Sequence, residues 1–141
     1  MNILVIYDGS RFAKRALETG IHMGKGFNAQ IHIFICISQT DTSGEVFEFI
    51  KSEADEKVEN AERIVNTACE MVKRENLICE AHILSRRNSV GEDIVDFAKQ
   101  IDAEYIVIGI RRRSQMEKLV FGSIAQYVVL HSPCPVTTVG C

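Results

Sequence analysis

The apolar residues of this chain form short β-branched runs that alternate with longer segments of helical spacing from one end to the other. The runs occupy residues 3–7, 31–37, 78–84, 105–109 and 136–139, with a helical segment between each run and the next. The first and fourth runs are continuously apolar, which is typical of parallel strands covered on both faces. With right-handed crossovers, this order predicts a doubly wound α/β fold in which five parallel strands carry helices on both faces.

Local signals set the expected helix ends. In the first helical segment the apolar face begins near Ala13, and glycines 24 and 26 can end the helix. The second helix is expected over residues 47–72. The third follows a capping box of Ser89 and Glu92, and the last occupies residues 123–131 before two prolines.

Composition narrows the functional class. With 141 residues, 46% of them hydrophobic, we expect a single domain over residues 1–141. A net charge of −3 argues against a surface built to bind DNA or RNA. No apolar run approaches the roughly 18–20 residues that span a bilayer, and no basic segment precedes the first run. We therefore expect a cytoplasmic protein with neither nucleic-acid nor membrane partners.

The cysteines and histidines show no pattern typical of a metal site or a catalytic centre. Cysteines 36, 69, 79, 134 and 141 are odd in number, irregularly spaced and without a CxxC pair, so neither a disulfide nor a zinc site is predicted. Histidines 22, 32, 82 and 131 are scattered, with no identifiable nucleophile beside them. We interpret each as a structural residue and predict no catalytic or metal-ligating residues.

Open α/β sheets bind ligands outside the carboxyl ends of their strands, which directs attention to the loops after strands one, two and four. Tyr7-Asp8-Gly9-Ser10 follows the first strand. One interpretation is a helix cap, with Asp8 or Ser10 accepting amide hydrogens of the first turn and Gly9 permitting a tight bend. The other is that Asp8 accepts a hydrogen bond from a ligand. The sequence leaves both open.

The segment after strand four indicates an anion site. Gly109 closes the strand, a basic loop follows, and Gly122-Ser123 opens the last helix. Arginines 111, 112 and 113 with Lys118, against Glu117, give this loop a charge of +3. A helix N-terminus with a nearby glycine suits a phosphate. The alternative is a solvated arginine cluster with a serine cap.

The sequence lacks three other nucleotide-binding motifs. The glycines in 20–26 are separated by three residues rather than the four of a P-loop, and no Ser or Thr follows the lysine. No GxGxxG follows a strand, so a dinucleotide site is not supported. An adenylating or pyrophosphatase enzyme would require an SGGxDS-like loop after strand one, which the chain lacks.

Taken together, Asp8-Gly9-Ser10, Val107-Ile108-Gly109, Gly122-Ser123 and the tail 131–136 resemble the universal stress protein family over nearly the whole chain. Members that bind ATP carry a glycine, two residues, a second glycine, nine residues and then Gly followed by Ser or Thr. Gly109, the nine-residue spacing 113–121 and Gly122-Ser123 match this pattern, whereas Arg112 occupies the place of the second glycine.

The resemblance implies a Rossmann-like fold of the adenine-nucleotide α-hydrolase type, with strand order 3-2-1-4-5. It implies that Asp8 faces the adenine or ribose, that Cys36 lines the base pocket and that Gly109 borders the sugar. Gly122, Ser123 and the amide of Ile124 would hold phosphates. The full set of implied binding residues is Tyr7, Asp8, Gly9, Cys36, Ile108, Gly109, Arg112, Gly122, Ser123 and Ile124. The implied ligand is ATP, with AMP or ADP as alternatives and Mg²⁺ accompanying the nucleotide.

The resemblance also implies a role in stress response through nucleotide-dependent conformation or partner binding, with slow ATP hydrolysis at most. It implies a homodimer formed through strand 136–139. Arg112 leaves two hypotheses open. Its side chain could crowd the pocket, as in a nucleotide-free interaction module, or its guanidinium could bond the phosphates.

Overall fold

The computed structural model describes residues 1–37, 47–86, 88–111 and 122–140. All the predicted strands and helices are present, and their observed ends lie close to the predicted ones. The elements in chain order are β1 (Asn2–Ile6), α1 (Arg11–Phe27), β2 (Gln30–Ile37), α2 (Phe47–Arg74), β3 (Cys79–Ser85), α3 (Val90–Gln100), β4 (Tyr105–Ile110), α4 (Ser123–His131) and β5 (Val136–Gly140).

The five strands form one parallel sheet in the order β3-β2-β1-β4-β5. This confirms the predicted α/β fold and its implied strand order. Helices α1 and α2 pack on one face of the sheet, and α3 and α4 pack on the other. In the described part of the chain, no helix combines the length and the apolar character needed to cross a bilayer.

The central strand β1 shows why continuous apolar runs belong to this fold. Ile3 and Val5 are fully buried in the core beneath α1 and α2, whereas Leu4 is fully buried in the core beneath α3 and α4. Successive side chains of a strand point to opposite faces, so a strand covered on both sides must be apolar at every position.

The prediction that glycines 24 and 26 end α1 is wrong, although the helix ends only one residue beyond Gly26. The helix continues to Phe27 and ends at Asn28, whose φ of 54° is left-handed. Gly24 instead lies against the core, where a Cβ atom would stand 2.9 Å from Cδ1 of Ile31. That glycine permits close helix–sheet packing, and an asparagine tolerates the left-handed cap.

The prediction that the cysteines form no disulfide is also wrong, because Cys69 of α2 and Cys79 of β3 are bonded, with Cα atoms 5.6 Å apart. The connection between the two elements is short, so the last turns of α2 lie over the start of β3. Spacing along the chain does not reveal this proximity. Cys36 and Cys134 are free thiols, and Cys141 lies outside the described residues.

Candidate functional site

A crevice of about 440 Å³ lies at the carboxyl ends of β1, β2 and β4, beside the first turns of α1, α3 and α4. This is the edge of the sheet at which the sequence predicts a ligand site. The crevice gathers seven of the ten predicted residues, namely Tyr7, Asp8, Cys36, Ile108, Gly109, Gly122 and Ile124. Gly9 and Ser123 are not among its lining residues. Arg112 lies outside the described part of the chain.

The turn after β1 joins the strand to α1. Ser10 Oγ accepts a hydrogen bond from the amide of Ala13 at 3.3 Å, and Asp8 Oδ1 accepts one from the amide of Ser10 at 2.9 Å. Gly9 has a φ of 82°, a left-handed conformation that favours glycine. The capping interpretation is therefore confirmed, with Gly9 shaping the turn rather than facing the crevice.

The Asp8 side chain can contact a ligand as well as accept the hydrogen bond of the turn. Its side chain is exposed and lines the crevice. Within the described residues, only its Oδ1 atom has a hydrogen-bond partner, so a carboxylate oxygen is available to a ligand amino or hydroxyl group. The pKa of the adjacent Tyr7 is raised by burial and, secondarily, by the Asp8 charge, so its hydroxyl stays protonated.

Gly109 lines the crevice, but its lack of a side chain has a structural cause. A Cβ atom there would stand 2.7 Å from the carbonyl carbon of Phe12 and 3.2 Å from the amide nitrogen of Ala13. The backbone at the start of α1 thus packs directly on β4. This close contact holds the turn after β1 and the end of β4 on the same side of the crevice.

The N-terminus of α4 opens onto the crevice through Gly122 and Ile124. Gly122 is the capping residue and provides no side-chain hydrogen bond, so the serine-cap interpretation is wrong for this helix. In α1 and α3, Ser10 and Ser89 do cap the first turn. The first turn of α4 contains no acidic residue, and no described side chain caps its amides, so among the described residues they present the partial positive charge of a helix N-terminus.

Cys36 stands at the carboxyl end of β2 and forms the wall opposite α4 together with Phe34 and Val90. Burial raises the pKa of the Cys36 thiol; Asp93 raises it further, and Arg86 opposes the rise. At neutral pH this thiol is protonated and contributes an apolar, polarisable surface rather than a nucleophile.

Most of the apolar lining of the crevice is not apparent from the sequence. These side chains follow the strand and helix periodicities, so their pattern indicates core and carries no separate signal for a ligand site. They are Ile6, Phe12, Ala13, Phe34, Ile35, Val90, Ile110 and Ala125. Arg111 also lines the crevice, and its guanidinium carbon stands 5.5 Å from the ring centre of Phe12. The rest of the predicted basic loop, 112–118, lies outside the described residues.

The chain is similar to universal stress proteins over nearly its whole length. The model of the universal stress protein family matches residues 1–140. A universal stress protein of Synechocystis is 26% identical over 97% of this chain and 96% of its own length.

Solved structures agree with the sequence comparison. A universal stress protein of Archaeoglobus fulgidus superposes with a TM-score of 0.78 at 31% identity, over 98% of this chain and 97% of that one. A second structure from that organism, described as a complex with dAMP, is 27% identical with a TM-score of 0.75, over 98% of this chain and 96% of that one.

Proposed function

The chain belongs to the universal stress protein family, and we propose that it binds an adenine nucleotide, with ATP as the favoured ligand, in the crevice at the carboxyl edge of the sheet. The observation that carries this proposal is the combination of an apolar crevice with the N-terminus of α4 at its rim, which no described side chain caps. An apolar slot suits a purine, and an uncapped helix N-terminus suits a phosphate. The dAMP complex of the 27% identical relative supports the same ligand class.

Each part of the nucleotide has a matching surface. Phe34, Cys36 and Val90 would contact the base, and Asp8 would accept a hydrogen bond from the adenine amino group or a ribose hydroxyl. Gly109 would adjoin the sugar. The amides of Ser123 and Ile124 would bond the phosphates at the open face of Gly122, where a Cβ atom added to the glycine would meet no described atom within 4 Å.

Mg²⁺ fits this site only as a companion of the nucleotide. Among the described lining residues Asp8 is the one carboxylate, whereas Mg²⁺ usually keeps several waters and takes one or two carboxylates together with substrate phosphates. We propose that the phosphates carry the ion. Since a single carboxylate gives little means of orienting a water for attack, we expect at most slow hydrolysis.

Titration calorimetry with ATP, AMP, adenosine and GTP tests this proposal. We expect saturable binding of the adenine ligands, tighter for ATP than for adenosine, with GTP weaker. Absence of binding at millimolar ATP would contradict it.

The alternative is a nucleotide-free interaction module, and Arg112 motivates it. The Arg112→Gly variant restores the family's second glycine. If the native chain binds no nucleotide and Arg112→Gly binds ATP, then the alternative holds. If both bind, Arg112 is compatible with the site, and a weaker Arg112→Gly variant would indicate that the guanidinium contacts phosphate.

We further propose that two copies pair through strand 136–139 to form a homodimer. β5 lies at the edge of the sheet, and all of its residues are only partly buried. On the preceding helix, Val129 and Leu130 are 45% and 70% exposed. An unpaired edge beside apolar side chains can pair with a second chain. Light scattering coupled to size-exclusion chromatography tests this, and a monomer at high concentration would contradict it.

We propose that the protein acts in the cytoplasm, where the bound nucleotide alters its conformation or its partners during stress. Disulfides are rarely maintained in that compartment. The Cys69–Cys79 bond would then form mainly under oxidising conditions. Limited proteolysis with and without ATP would reveal a ligand-dependent conformation, and identical digestion patterns at saturating ATP would contradict one.

A further inference from the structure

A cluster of His32, Glu80 and His82 lies on the face of the sheet covered by α3 and α4, separate from the nucleotide crevice. His32 belongs to β2, and the other two residues belong to β3. His32 and Glu80 are register partners, and His82 is the partner of Phe34, so the three side chains emerge on one face. None of the three residues lines the crevice, and Cys36, which does, lies four residues or about 13 Å along β2 from His32.

The three side chains present their ligand atoms to one another. Nδ1 of His32 is 3.0 Å from Nε2 of His82, and Oε2 of Glu80 is 3.5 Å from the first and 3.7 Å from the second. Ligand atoms placed tetrahedrally at zinc bond lengths of about 2.0–2.1 Å stand about 3.3–3.4 Å apart. The triangle therefore has the size of one face of a zinc coordination tetrahedron.

Asn2 orients the buried histidine. Asn2 Nδ2 donates to the carbonyl of Ile101 at 2.9 Å, which assigns its Oδ1 to the side of His32, 3.2 Å from Nε2. Because that oxygen only accepts, His32 carries its proton on Nε2 and directs the lone pair of Nδ1 into the cluster. An oxygen acceptor behind a ligating histidine is the usual outer partner in zinc sites.

The surroundings of the cluster hold one of its rings in place and leave one side open to an ion. The ring of His82 packs against Phe97 of α3, with centroids 4.6 Å apart, which holds its orientation. The side chains of His82 and Glu80 are 26% and 54% exposed, so the site has an open side for water.

We propose that His32, Glu80 and His82 bind a divalent zinc ion, or a neighbouring late first-row metal ion, with water as the fourth ligand. Two imidazoles and one carboxylate form a donor set that zinc accepts and that Mg²⁺, which prefers oxygen ligands, does not. The ion would link the outer strand β3 to β2 and thereby stabilise the folded chain. This proposal does not depend on nucleotide binding.

The test uses the untagged full chain, stripped with a chelator and with its free thiols alkylated, titrated with ZnCl₂ in a calorimeter. We expect one ion per chain, with saturation below about 0.1 mM zinc and an upward shift of the melting temperature. No saturable binding in that range would overturn the proposal. Addition of Co²⁺ should give the intense visible bands of a tetrahedral site, which a merely structural histidine pair would not produce.

Substitutions assign the ligands. His82→Gln and Glu80→Gln should each weaken zinc binding at least about tenfold, whereas His22→Gln, which changes an exposed histidine of α1, should leave it unchanged. Glu80 is the more exposed ligand, so its variant keeps the test decisive even if His82→Gln fails to fold. Equal zinc affinity in wild type and Glu80→Gln would overturn the assignment.

Discussion

The carbonyl carbon of Phe12 lies 2.7 Å from the position that a Cβ atom would take on Gly109, so the first turn of α1 packs directly against the backbone of β4. Gly109→Ala should therefore lower the free energy of unfolding by about 1–3 kcal/mol, as overpacking of a core contact does. Urea unfolding measures this change.

Gly26→Ala is the matched control for Gly109→Ala. Gly26 lies within α1 and is exposed, and beyond its own helix backbone and chain neighbours an added Cβ would meet no described atom within 4 Å. Because alanine favours the helix, this variant should be more stable by up to about 1 kcal/mol. Equal destabilisation by both substitutions would contradict the close contact at Gly109.

Gly122→Asp tests the phosphate site at α4 with opposite effects on stability and binding. The carboxylate would cap the free amides and complement the helix dipole, so stability should stay within about 1 kcal/mol of wild type or rise. The same negative charge would repel phosphates and should weaken ATP binding at least about tenfold. Calorimetric titrations with ATP and with adenosine measure the effect, and adenosine binding should change little.

The Gly122→Asn variant separates the effect of side-chain charge on ATP binding from the effect of side-chain size. It caps the helix as aspartate does but carries no charge. ATP affinity should therefore fall less in Gly122→Asn than in Gly122→Asp. If Gly122→Asp binds ATP as wild type does, the phosphates do not lie at this helix.

Cys36 should be slow to alkylate near neutral pH, because its raised pKa keeps the thiol protonated. Its rate with iodoacetamide should rise about tenfold per pH unit up to and beyond the ordinary thiol range, since only the thiolate reacts. Peptide mapping by mass spectrometry measures Cys36 separately from the other cysteines, with glutathione as the reference thiol. Saturating ATP should protect Cys36; a rate that levels off below about pH 8 would show an activated thiol instead.

The sequence predicts the fold well because the two periodicities are strong and uninterrupted. The continuous apolar runs of β1 and β4 are typical of strands covered on both faces, and the prolines after α4 end that helix. The predicted end of α1 is wrong because Gly24 signals either a helix end or close packing, and only the position of Ile31 decides between them.

The site is partly predictable for a related reason. Asp8 follows the end of β1 and Gly122 precedes the start of α4, so both interrupt the periodic pattern and are visible as candidates. Phe34 and Val90 follow the pattern and look like ordinary core. The proximity of the His32 and His82 rings depends on the register between β2 and β3, which alternation alone does not fix. The contact of Cys69 with Cys79 depends instead on how the last turns of α2 lie over the start of β3, which spacing along the chain does not reveal.

Reduction of the Cys69–Cys79 disulfide should lower the free energy of unfolding by about 2–3 kcal/mol, the usual value for a cross-link that closes a short loop. Urea unfolding with and without dithiothreitol measures this difference. The Cys69→Ser/Cys79→Ser variant should match the reduced wild type, and Cys134→Ser, which removes a free thiol, should still respond to reductant. An unchanged unfolding midpoint on reduction would contradict a stabilising role for the bond.

Asn2→Ala should weaken zinc binding by about tenfold without changing its stoichiometry, because His32 would lose the acceptor that keeps the proton on Nε2. Asn2→Asp retains an acceptor at that position and should bind zinc more tightly than Asn2→Ala. Calorimetry gives both affinities, and ¹⁵N chemical shifts of the His32 ring report which nitrogen carries the proton in each variant. Wild-type zinc affinity in Asn2→Ala would show that Asn2 supports the strand but does not orient the ligand, because the outer partner of a zinc-bound histidine cannot be removed without cost.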